Sequence, residues 1–366
     1  MRPPVARWRA RARQIGEQWT TWRQQWAVER DLEEAVSGSD PIVAGPWLSE
    51  VGYEVLYWVP FLRWVMAAYR VPEERIVVMS RGGAASWYRG VASRYIEVLD
   101  HIAPADLSAR AAAGALKQRE VSDFDRGLIK KASEAVGLGA SVRVLHPSLM
   151  FRWFGPFWSG HETLAFVERH TRYARIEAPD VGVPVALPAE YVAVKFYGAR
   201  SLPDEPAVRV QLRAMTDALS DRFPIVHLDT GLAIDDHADF HIEAGERVTS
   251  LSGRLDARTN LGVQTRIIAG ARMFVGTCGG LAWLAPLLGV PTVPVFTDAS
   301  FLHAHLHLAR RVYGRVGGGR FSPVDLSGLL DAGLAIGADV RRARLYTAPG
   351  GPQAPHRAGV RGGDPG

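Results

Sequence analysis

A short glycine-rich turn, Gly276 to Gly280, is the segment of the sequence best suited to binding a ligand. It follows an apolar run, Met273 to Val275, that predicts a buried strand, and it precedes a stretch with helical spacing. Small residues allow backbone amides to approach a ligand, and the positive end of the following helix points to the same place. The pattern predicts a site for an anion such as a diphosphate; a tight turn whose glycines serve only the backbone is the alternative. The residues expected to contact the anion are Thr277, Cys278, Gly279, Gly280 and Leu281.

The surrounding segment, Asn260 to Phe296, resembles the donor-binding segment of GT-B glycosyltransferases. In that family a strand ends in a Gly-Thr/Ser-x-x-Gly turn, and the next helix leads into Leu-Gly-Val-Pro-Thr-Val, which stands here at Leu288 to Val293. The segment is especially similar to the heptosyltransferase-like enzymes that build bacterial surface polysaccharides. This resemblance implies two Rossmann-like α/β domains facing across a cleft, a nucleotide-sugar donor in the second domain, and no bound metal or other cofactor.

Two carboxylates, Glu50 and Glu54, stand at the start of a predicted helix that follows the first predicted strand, Ile42 to Ala44. Side chains four residues apart lie on one face of a helix, so both are expected to point toward the mouth of the cleft. In the resembling enzymes the corresponding loop has Gly-Asp followed six residues later by proline, and an acidic residue there is the proposed general base. Glu54 precedes Pro60 by six residues, Glu50 fits by its position in the loop, and the aspartate itself is missing.

A carboxylate at this place has a definite task in glycosyl transfer. An acceptor hydroxyl has a pKa far above neutrality, so one of the two glutamates is expected to take its proton as the new bond forms. Stabilisation of the helix through its macrodipole is the alternative for both.

Cations near strand ends are candidates for holding the donor phosphates. Lys195 lies near the end of the predicted strand Tyr191 to Tyr197, and Arg200 follows just beyond Gly198. A departing nucleoside diphosphate needs its charge neutralised, so both residues are predicted to contact the phosphates. A solvated loop lysine is the alternative for Lys195.

Three polar residues are candidates for contacts to the rest of the donor. Asp229 follows the predicted strand Ile225 to Leu228 and would meet the ribose or the base, unless it caps a turn. Asn260 and Gln264 share a helix face just before the glycine turn and would either hydrogen-bond the donor or support the turn. The adjacent Asp235 to His237 favour a turn over a metal site.

Alternating strand-type and helix-type runs place the chain in the α/β class with mostly parallel sheets. Its 366 residues suit two domains, and the proline-spaced stretch Ala178 to Pro188 is interpreted as a linker. We expect residues 1–36 to form a basic, tryptophan-rich amphipathic helix, 40–180 an acceptor-side domain, 186–345 a donor-side domain, and 348–366 a disordered tail.

Some local predictions are less direct. Helices are predicted around Tyr88 to Leu99 and Val324 to Leu334. The aromatic stretch Pro147 to His161 has few periodic cues; it either lines an acceptor pocket or belongs to the core, and the core is favoured.

The positive charge of the chain is concentrated at its N-terminus. Seven arginines and two glutamates among residues 1–30 give +5, the net charge of the whole chain, so the remainder is balanced. A nucleic-acid-binding body is therefore disfavoured. A helix over this segment would gather Trp8, Ile15, Trp19, Trp22 and Trp26 on one side. It would lie on an anionic membrane surface or pack against the protein or a partner.

The single cysteine, Cys278, excludes a disulfide framework and cysteine-rich zinc sites, which fits a reducing compartment. It is interpreted as a small turn residue rather than a nucleophile, because no partner base is identifiable. No apolar run approaches the length of a membrane span. We expect a cytoplasmic protein, peripheral on the inner face of the membrane if residues 1–30 bind lipid.

The leading hypothesis is a glycosyltransferase of cell-surface glycan synthesis, with a nucleotide sugar and a glycan or lipid-linked acceptor as partners. A nucleotide-sugar epimerase of the same fold would need further acid/base residues in the cleft. A non-catalytic scaffold would use the N-terminal segment to dock a partner or membrane. A dinucleotide-dependent oxidoreductase is disfavoured because no G-x-G-x-x-G follows either opening strand.

Overall fold

The computed structural model describes residues 23, 25–114, 117–139, 141–232, 234, 238–241 and 246–333. The predictions for residues 1–22, for Asp235 to His237, for 334–345 of the second domain and for the tail 348–366 lie outside these ranges.

The first half of the chain forms a four-stranded parallel sheet in the order β3-β2-β1-β4. Its strands are β1 (Ile42–Ala44), β2 (Ile76–Ser80), β3 (Arg94–Glu97) and β4 (Arg143–Leu145). Its helices are α1 (25–36), α2 (Val51–Tyr53), a π-helical stretch Glu54–Trp58 that runs into α3 (Val59–Tyr69), α4 (Pro104–Ala112), α5 (Asp123–Ala135), α6 (Pro147–Trp158) and α7 (Leu164–Arg169).

The second half forms a six-stranded parallel sheet in the order β10-β9-β8-β5-β6-β7. Its strands are β5 (Val192–Lys195), β6 (Ile225–His227), β7 (Val248–Ser250), β8 (Met273–Thr277), β9 (Thr292–Phe296) and β10 (Val324–Asp325). Its helices are α8 (Pro206–Ser220), α9 (Asn260–Gly270), α10 (Gly280–Leu287), α11 (His303–Arg315) and α12 (Ser327–Asp331). The prediction of an α/β fold with two parallel sheets is confirmed.

Each sheet reverses its winding direction at one point. In the second sheet the chain proceeds outward from β5 through β6 to β7, then crosses to β8 and proceeds the other way. In the first sheet the same reversal separates β1 from β4. Parallel sheets open a crevice at the carboxyl ends of the strands beside such a switch point, which is where ligands bind. The loop with Glu50 leaves β1 and the glycine turn leaves β8, so the fold places both at such crevices.

Two helix predictions are wrong in part. Within the stretch predicted as a helix around Tyr88 to Leu99, residues Arg94–Glu97 form the edge strand β3, because pairing with β2 overrides a weak local pattern. The stretch Val324 to Leu334 begins as strand β10 before the short helix α12.

The aromatic stretch after β4 is helix α6. Pro147 occupies its first turn, where a proline is tolerated, and the His146 ring nitrogen Nδ1 accepts from the Ser148 amide at 3.1 Å. Most of its residues are buried, so no polar face marks the helical period in the sequence. Phe151, Trp153 and Phe154 belong to the main core, the largest cluster of buried apolar side chains. The prediction that this stretch belongs to the core therefore agrees with the structure.

Helix α1 packs against the protein's own body. Val28 and Leu32 are buried in the main core, while Trp26 is 56% exposed. The Asp31 carboxylate pairs with Arg152 of α6 at 2.8 Å. The described part of the N-terminal segment therefore packs against the protein itself, which was the alternative to binding a membrane surface. No helix among the described residues combines the length and apolar character needed to cross a membrane.

Direct contacts hold the two halves together. The amides of Leu261 and Gly262 at the start of α9 donate to the Gly82 carbonyl at 2.8 and 2.9 Å. The Trp87 indole donates to the Thr265 hydroxyl at 3.0 Å. One buried apolar cluster includes residues of both halves. The connection over residues 170–189 has no regular secondary structure, and its Arg175 donates to the Leu288 carbonyl at 3.0 Å.

We expect Leu32→Ala to lower the free energy of unfolding by about 2 to 5 kcal/mol, because it removes a fully buried side chain from the shared core. Trp26→Ala, on the exposed face of the same helix, is the matched control and should change it by about 0.5 kcal/mol or less. Urea unfolding measures both. Equal stability of Leu32→Ala and the wild type would show that α1 is not part of the core.

Candidate functional site

A cavity of about 710 Å³ lies between the two halves. Its walls come from the Glu50 turn and Arg81 on one side, and from the ends of β5 and β8 and the start of α9 on the other. The volume falls within the range of ordinary ligand pockets. Both switch points therefore open into one space.

The glycine turn faces this cavity. Cys278, Gly279, Gly280 and Leu281 line it. Thr277 does not: it is fully buried, and its hydroxyl accepts from the Tyr197 amide at 2.9 Å and donates to the Tyr197 carbonyl at 3.0 Å. The prediction that Thr277 contacts the ligand is therefore replaced by a structural role, in which its hydroxyl ties the end of β8 to the segment after β5.

Glycine is needed in this turn because other groups approach its backbone. A side-chain carbon at position 279 would collide with the Tyr197 hydroxyl, and Gly280 has a φ of +22°. From the opposite half, a side-chain carbon at position 52 would lie 3.3 Å from the Gly280 amide nitrogen. The turn after Glu50 and the start of α10 thus pack backbone against backbone, and the cavity opens beside this contact.

Cys278 has the character of a small buried residue. It is 3% exposed, and burial raises the pKa of its thiol well above the usual range. The thiol therefore stays protonated near neutrality, which agrees with the structural interpretation of this cysteine.

The two candidate carboxylates lie in different environments. Glu50 lines the cavity; its backbone is extended at the N-cap of α2, and its side chain makes no capping hydrogen bond. Glu54 is fully buried within the π-helical stretch and does not line the cavity. The expectation that both face the cleft is not met, because the same-face rule applies inside a helix and Glu50 precedes the first turn.

Glu54 instead supports the wall of the cavity. Its Oε1 accepts hydrogen bonds from the Ser80 and Tyr88 hydroxyls, each at 2.5 Å, while Oε2 has no hydrogen-bond partner among the described residues. Burial raises the pKa of Glu54 to about 7, although both hydroxyls and the charge of Arg81 oppose this shift. Arg81, also buried, donates to the Ser49 carbonyl at 3.0 Å and so connects this network to the turn that carries Glu50.

The predicted phosphate ligands Lys195 and Arg200 both line the cavity. Lys195 is already paired: its ammonium lies 2.8 and 3.0 Å from the two carboxylate oxygens of Asp239 and donates to the Leu228 carbonyl at 2.9 Å. The Arg200 guanidinium stacks 3.2 Å from the centre of the Phe301 ring. Within the second half, Arg200 is therefore better placed than Lys195 to contribute positive charge.

Two further cavity cations, Arg81 and Lys117, come from the first half and were not predicted from the sequence. Arg81 directly follows β2, and a search for cations at all predicted strand ends would have found it. Lys117 gives no such signal. It is positioned by its neighbour Gln118, whose side chain binds the Leu48 amide and the Pro46 carbonyl, both at 2.9 Å.

Asp229 lies outside the cavity lining, contrary to its predicted donor contact. Its carboxylate accepts from Ser250 at 2.7 Å and contacts the ring nitrogens of His241 at 2.8 Å and His227 at 3.2 Å. Burial alone would raise the pKa of Asp229, but these partners stabilise the ionised form and lower the pKa to about 2. Asp229 thus organises its own loop, which corresponds to the turn alternative.

Asn260 and Gln264 both line the cavity and are almost fully buried. His305 of α11 also lines it; its Nδ1 lies 2.6 Å from the Tyr57 hydroxyl, and burial lowers the pKa of His305 to about 4. His305 is therefore neutral near pH 7. Among the described residues, no three His, Cys, Asp or Glu side chains come together in a set that could hold a metal.

Solved structures that are similar to this chain include heptosyltransferases and other glycosyltransferases. The iron-containing dodecameric glycosyltransferase TibC from enterotoxigenic E. coli is 13% identical, with a TM-score of 0.36, and the match covers 71% of this chain and 58% of TibC. E. coli ADP-heptose LPS heptosyltransferase II is 12% identical, with a TM-score of 0.38, over 70% of this chain and 84% of that one. A family 9 glycosyl transferase from Veillonella parvula is 10% identical, with a TM-score of 0.42, over 82% and 89%.

Neither a protein-family model nor a curated protein matches the chain. The chain spans 58% of the length of TibC. Identities and TM-scores of this size describe a distant likeness.

The raised pKa of Glu54 predicts a pH-dependent stability. A carboxyl with a pKa of about 7 in the folded protein and an ordinary value of 4.5 binds more protons when folded. Its stabilising contribution is therefore full below pH 4.5 and is lost as pH rises through 7. Glu54→Gln cannot ionise and keeps an acceptor for Ser80 and Tyr88, so it should not lose this contribution.

Urea unfolding of both proteins between pH 4.5 and pH 8 measures the effect. Relative to the wild type, the variant should gain on the order of 1 to 3 kcal/mol across this range. A difference in stability that does not change with pH would contradict the assignment.

Proposed function

We propose that the protein is a glycosyltransferase that moves a sugar from a nucleotide-sugar donor to a hydroxyl acceptor in the cavity between its halves. One observation carries this proposal: the turn with Glu50 and the glycine turn at the start of α10 meet at the same cavity. Together they supply a carboxylate beside a helix N-terminus. The carboxylate can remove the proton of the acceptor, and the helix N-terminus can bind the departing diphosphate.

The donor is proposed to lie with its diphosphate near Gly279, Gly280 and Arg200. The first amides of a helix have no partner within the helix and point along its axis toward an anion. Arg81 and Lys117 approach from the other half, so charge on the departing diphosphate is met from both sides. We propose that these cations neutralise the leaving group without a resident metal ion.

Glu50 is proposed as the general base. The acceptor oxygen forms a bond to the anomeric carbon while the bond from that carbon to the diphosphate oxygen breaks. The acceptor proton passes to the Glu50 carboxylate, and the electron pair of the broken bond leaves with the nucleoside diphosphate. Glu54 is not proposed for this role because its carboxyl is enclosed by protein and cannot reach an acceptor.

The wider assignments are part of the same proposal. Residues 40–180 would hold the acceptor and 186–345 the donor. The acceptor would be a glycan or a lipid-linked glycan of the cell surface. The basic, tryptophan-rich residues 1–22 would hold the protein on the inner face of the membrane, where such acceptors are made. The charge pattern of the sequence supports this location.

The donor is identified by thermal unfolding in the presence of GDP, UDP, ADP and CMP, because a ligand that binds only the folded state raises the unfolding temperature. A sugar nucleotide of the stabilising base, labelled in its sugar, is then incubated with glycan acceptors and with EDTA. Transfer of the label supports the proposal. An epimerised sugar nucleotide without an acceptor would instead identify an epimerase, and no stabilisation by any nucleotide would favour a scaffold.

Glu50→Gln should lower kcat by about 100- to 10,000-fold, because the acceptor proton loses its base, while the stabilisation by nucleotide is retained. Glu74→Gln, an exposed glutamate outside the cavity, is the matched control and should keep wild-type turnover. Steady-state kinetics with the identified donor measure both. Wild-type kcat in Glu50→Gln would remove Glu50 from the mechanism.

A further inference from the structure

Two buried amide side chains form an ordered chain at the start of α9. The Asn260 nitrogen Nδ2 donates to the Ala257 carbonyl at 2.8 Å, and the Gln264 nitrogen Nε2 donates to the Asn260 oxygen Oδ1 at 3.1 Å. Asn260 is 5% exposed and Gln264 is 2% exposed. Both line the cavity.

The backbone carbonyl of Ala257 fixes the direction of this chain. A carbonyl oxygen can only accept, so Asn260 must turn its nitrogen toward Ala257 and its oxygen toward Gln264. Gln264 must then turn its own nitrogen toward Asn260. Rotation of either amide by half a turn would bring two acceptors or two donors together. Gln264 is therefore held with its oxygen Oε1 directed away from Asn260.

That oxygen has no hydrogen-bond partner among the described residues, although it is buried. Buried polar atoms are nearly always hydrogen-bonded, so an unpaired acceptor on a residue that lines a cavity points to a donor on the ligand. Ionised phosphate oxygens only accept hydrogen bonds and cannot be the partner. The partner must carry an O–H or N–H group, as a sugar hydroxyl, a ribose hydroxyl or a base amino group does.

We propose that Gln264 Oε1 accepts a hydrogen bond from a hydroxyl or amino group of the nucleotide sugar, and that it selects donors that carry this group. Asn260 is the positioning residue that keeps the acceptor oriented. This inference rests on the proposed function. It adds that Gln264 marks where the non-phosphate part of the donor lies.

Isothermal titration of wild type and Gln264→Met tests the proposal. The probes are ADP, GDP, CDP and UDP with the corresponding glucose-bearing nucleotides, followed by 2′-deoxy, 3′-deoxy and deamino forms of the best binder. Methionine has a similar length, and its thioether sulfur is only a weak acceptor. We expect it to weaken binding about tenfold, which corresponds to about 1.4 kcal/mol, only for probes that carry the recognised group.

The probes separate the possible sources of the hydrogen bond. A loss seen with the bare nucleotide but absent from its deoxy or deamino form assigns the ribose or the base. A loss confined to the glucose-bearing form assigns the sugar. Gln211→Met, which changes a buried glutamine of α8 outside the cavity, is the matched control and should bind every probe like the wild type.

Asn260→Ala provides a second, independent test. It leaves Gln264 in place but frees its amide to rotate, so discrimination between a probe and its analogue should shrink while the phosphate contacts remain. Equal affinities of wild type and Gln264→Met for every probe would overturn the inference and leave the proposed function standing. Binding of no probe by the wild type would overturn the proposed function itself.

Discussion

The close approach of two backbone turns at the centre of the molecule is the constraint on which the candidate site depends. Gly52 of the first half lies against the Gly280 amide of the second, and Gly279 lies against the Tyr197 hydroxyl. A side-chain carbon at position 52 would lie tightly against Trp283 and the Gly280 amide, and one at position 279 would collide with the Tyr197 hydroxyl. The cavity keeps its shape because small residues occupy the contact and leave the space beside it to larger, charged side chains.

The cations that line the cavity differ in the groups that they contact. Lys195 forms an ion pair with Asp239 inside its own half, so its charge is largely compensated by that carboxylate. Arg81, by contrast, is bound through a neutral backbone carbonyl, and Arg200 and Lys117 lie against aromatic rings. None of these contacts is an ion pair, although the charge of Arg81 also acts on Glu54 and that of Arg200 on Asp298. Glu50 and Asp204 line the same cavity, so it contains both signs of charge.

Burial distinguishes Glu54 from Glu50. The Glu54 carboxyl, removed from water, has a pKa near neutrality and accepts two hydroxyl hydrogen bonds, while Glu50, only four positions away, remains beside the cavity. Their difference follows from the start of the helix between them. A residue with extended backbone at an N-cap and a residue inside a π-helical stretch do not share a face.

The sequence by itself determined the α/β class, the strands β1, β5, β6 and β8 and the glycine turn, because apolar periodicity and small residues at strand ends are local signals. It also indicated Glu50, Arg200, Asn260 and Gln264, which the structure brings to one cavity. Only the tertiary structure decided that Glu54, Asp229 and Thr277 are enclosed, since burial depends on what packs over a residue. It also decided that Lys195 pairs with Asp239, that Lys117 lines the cavity and that α6 is a helix. Each of these depends on partners distant in the chain.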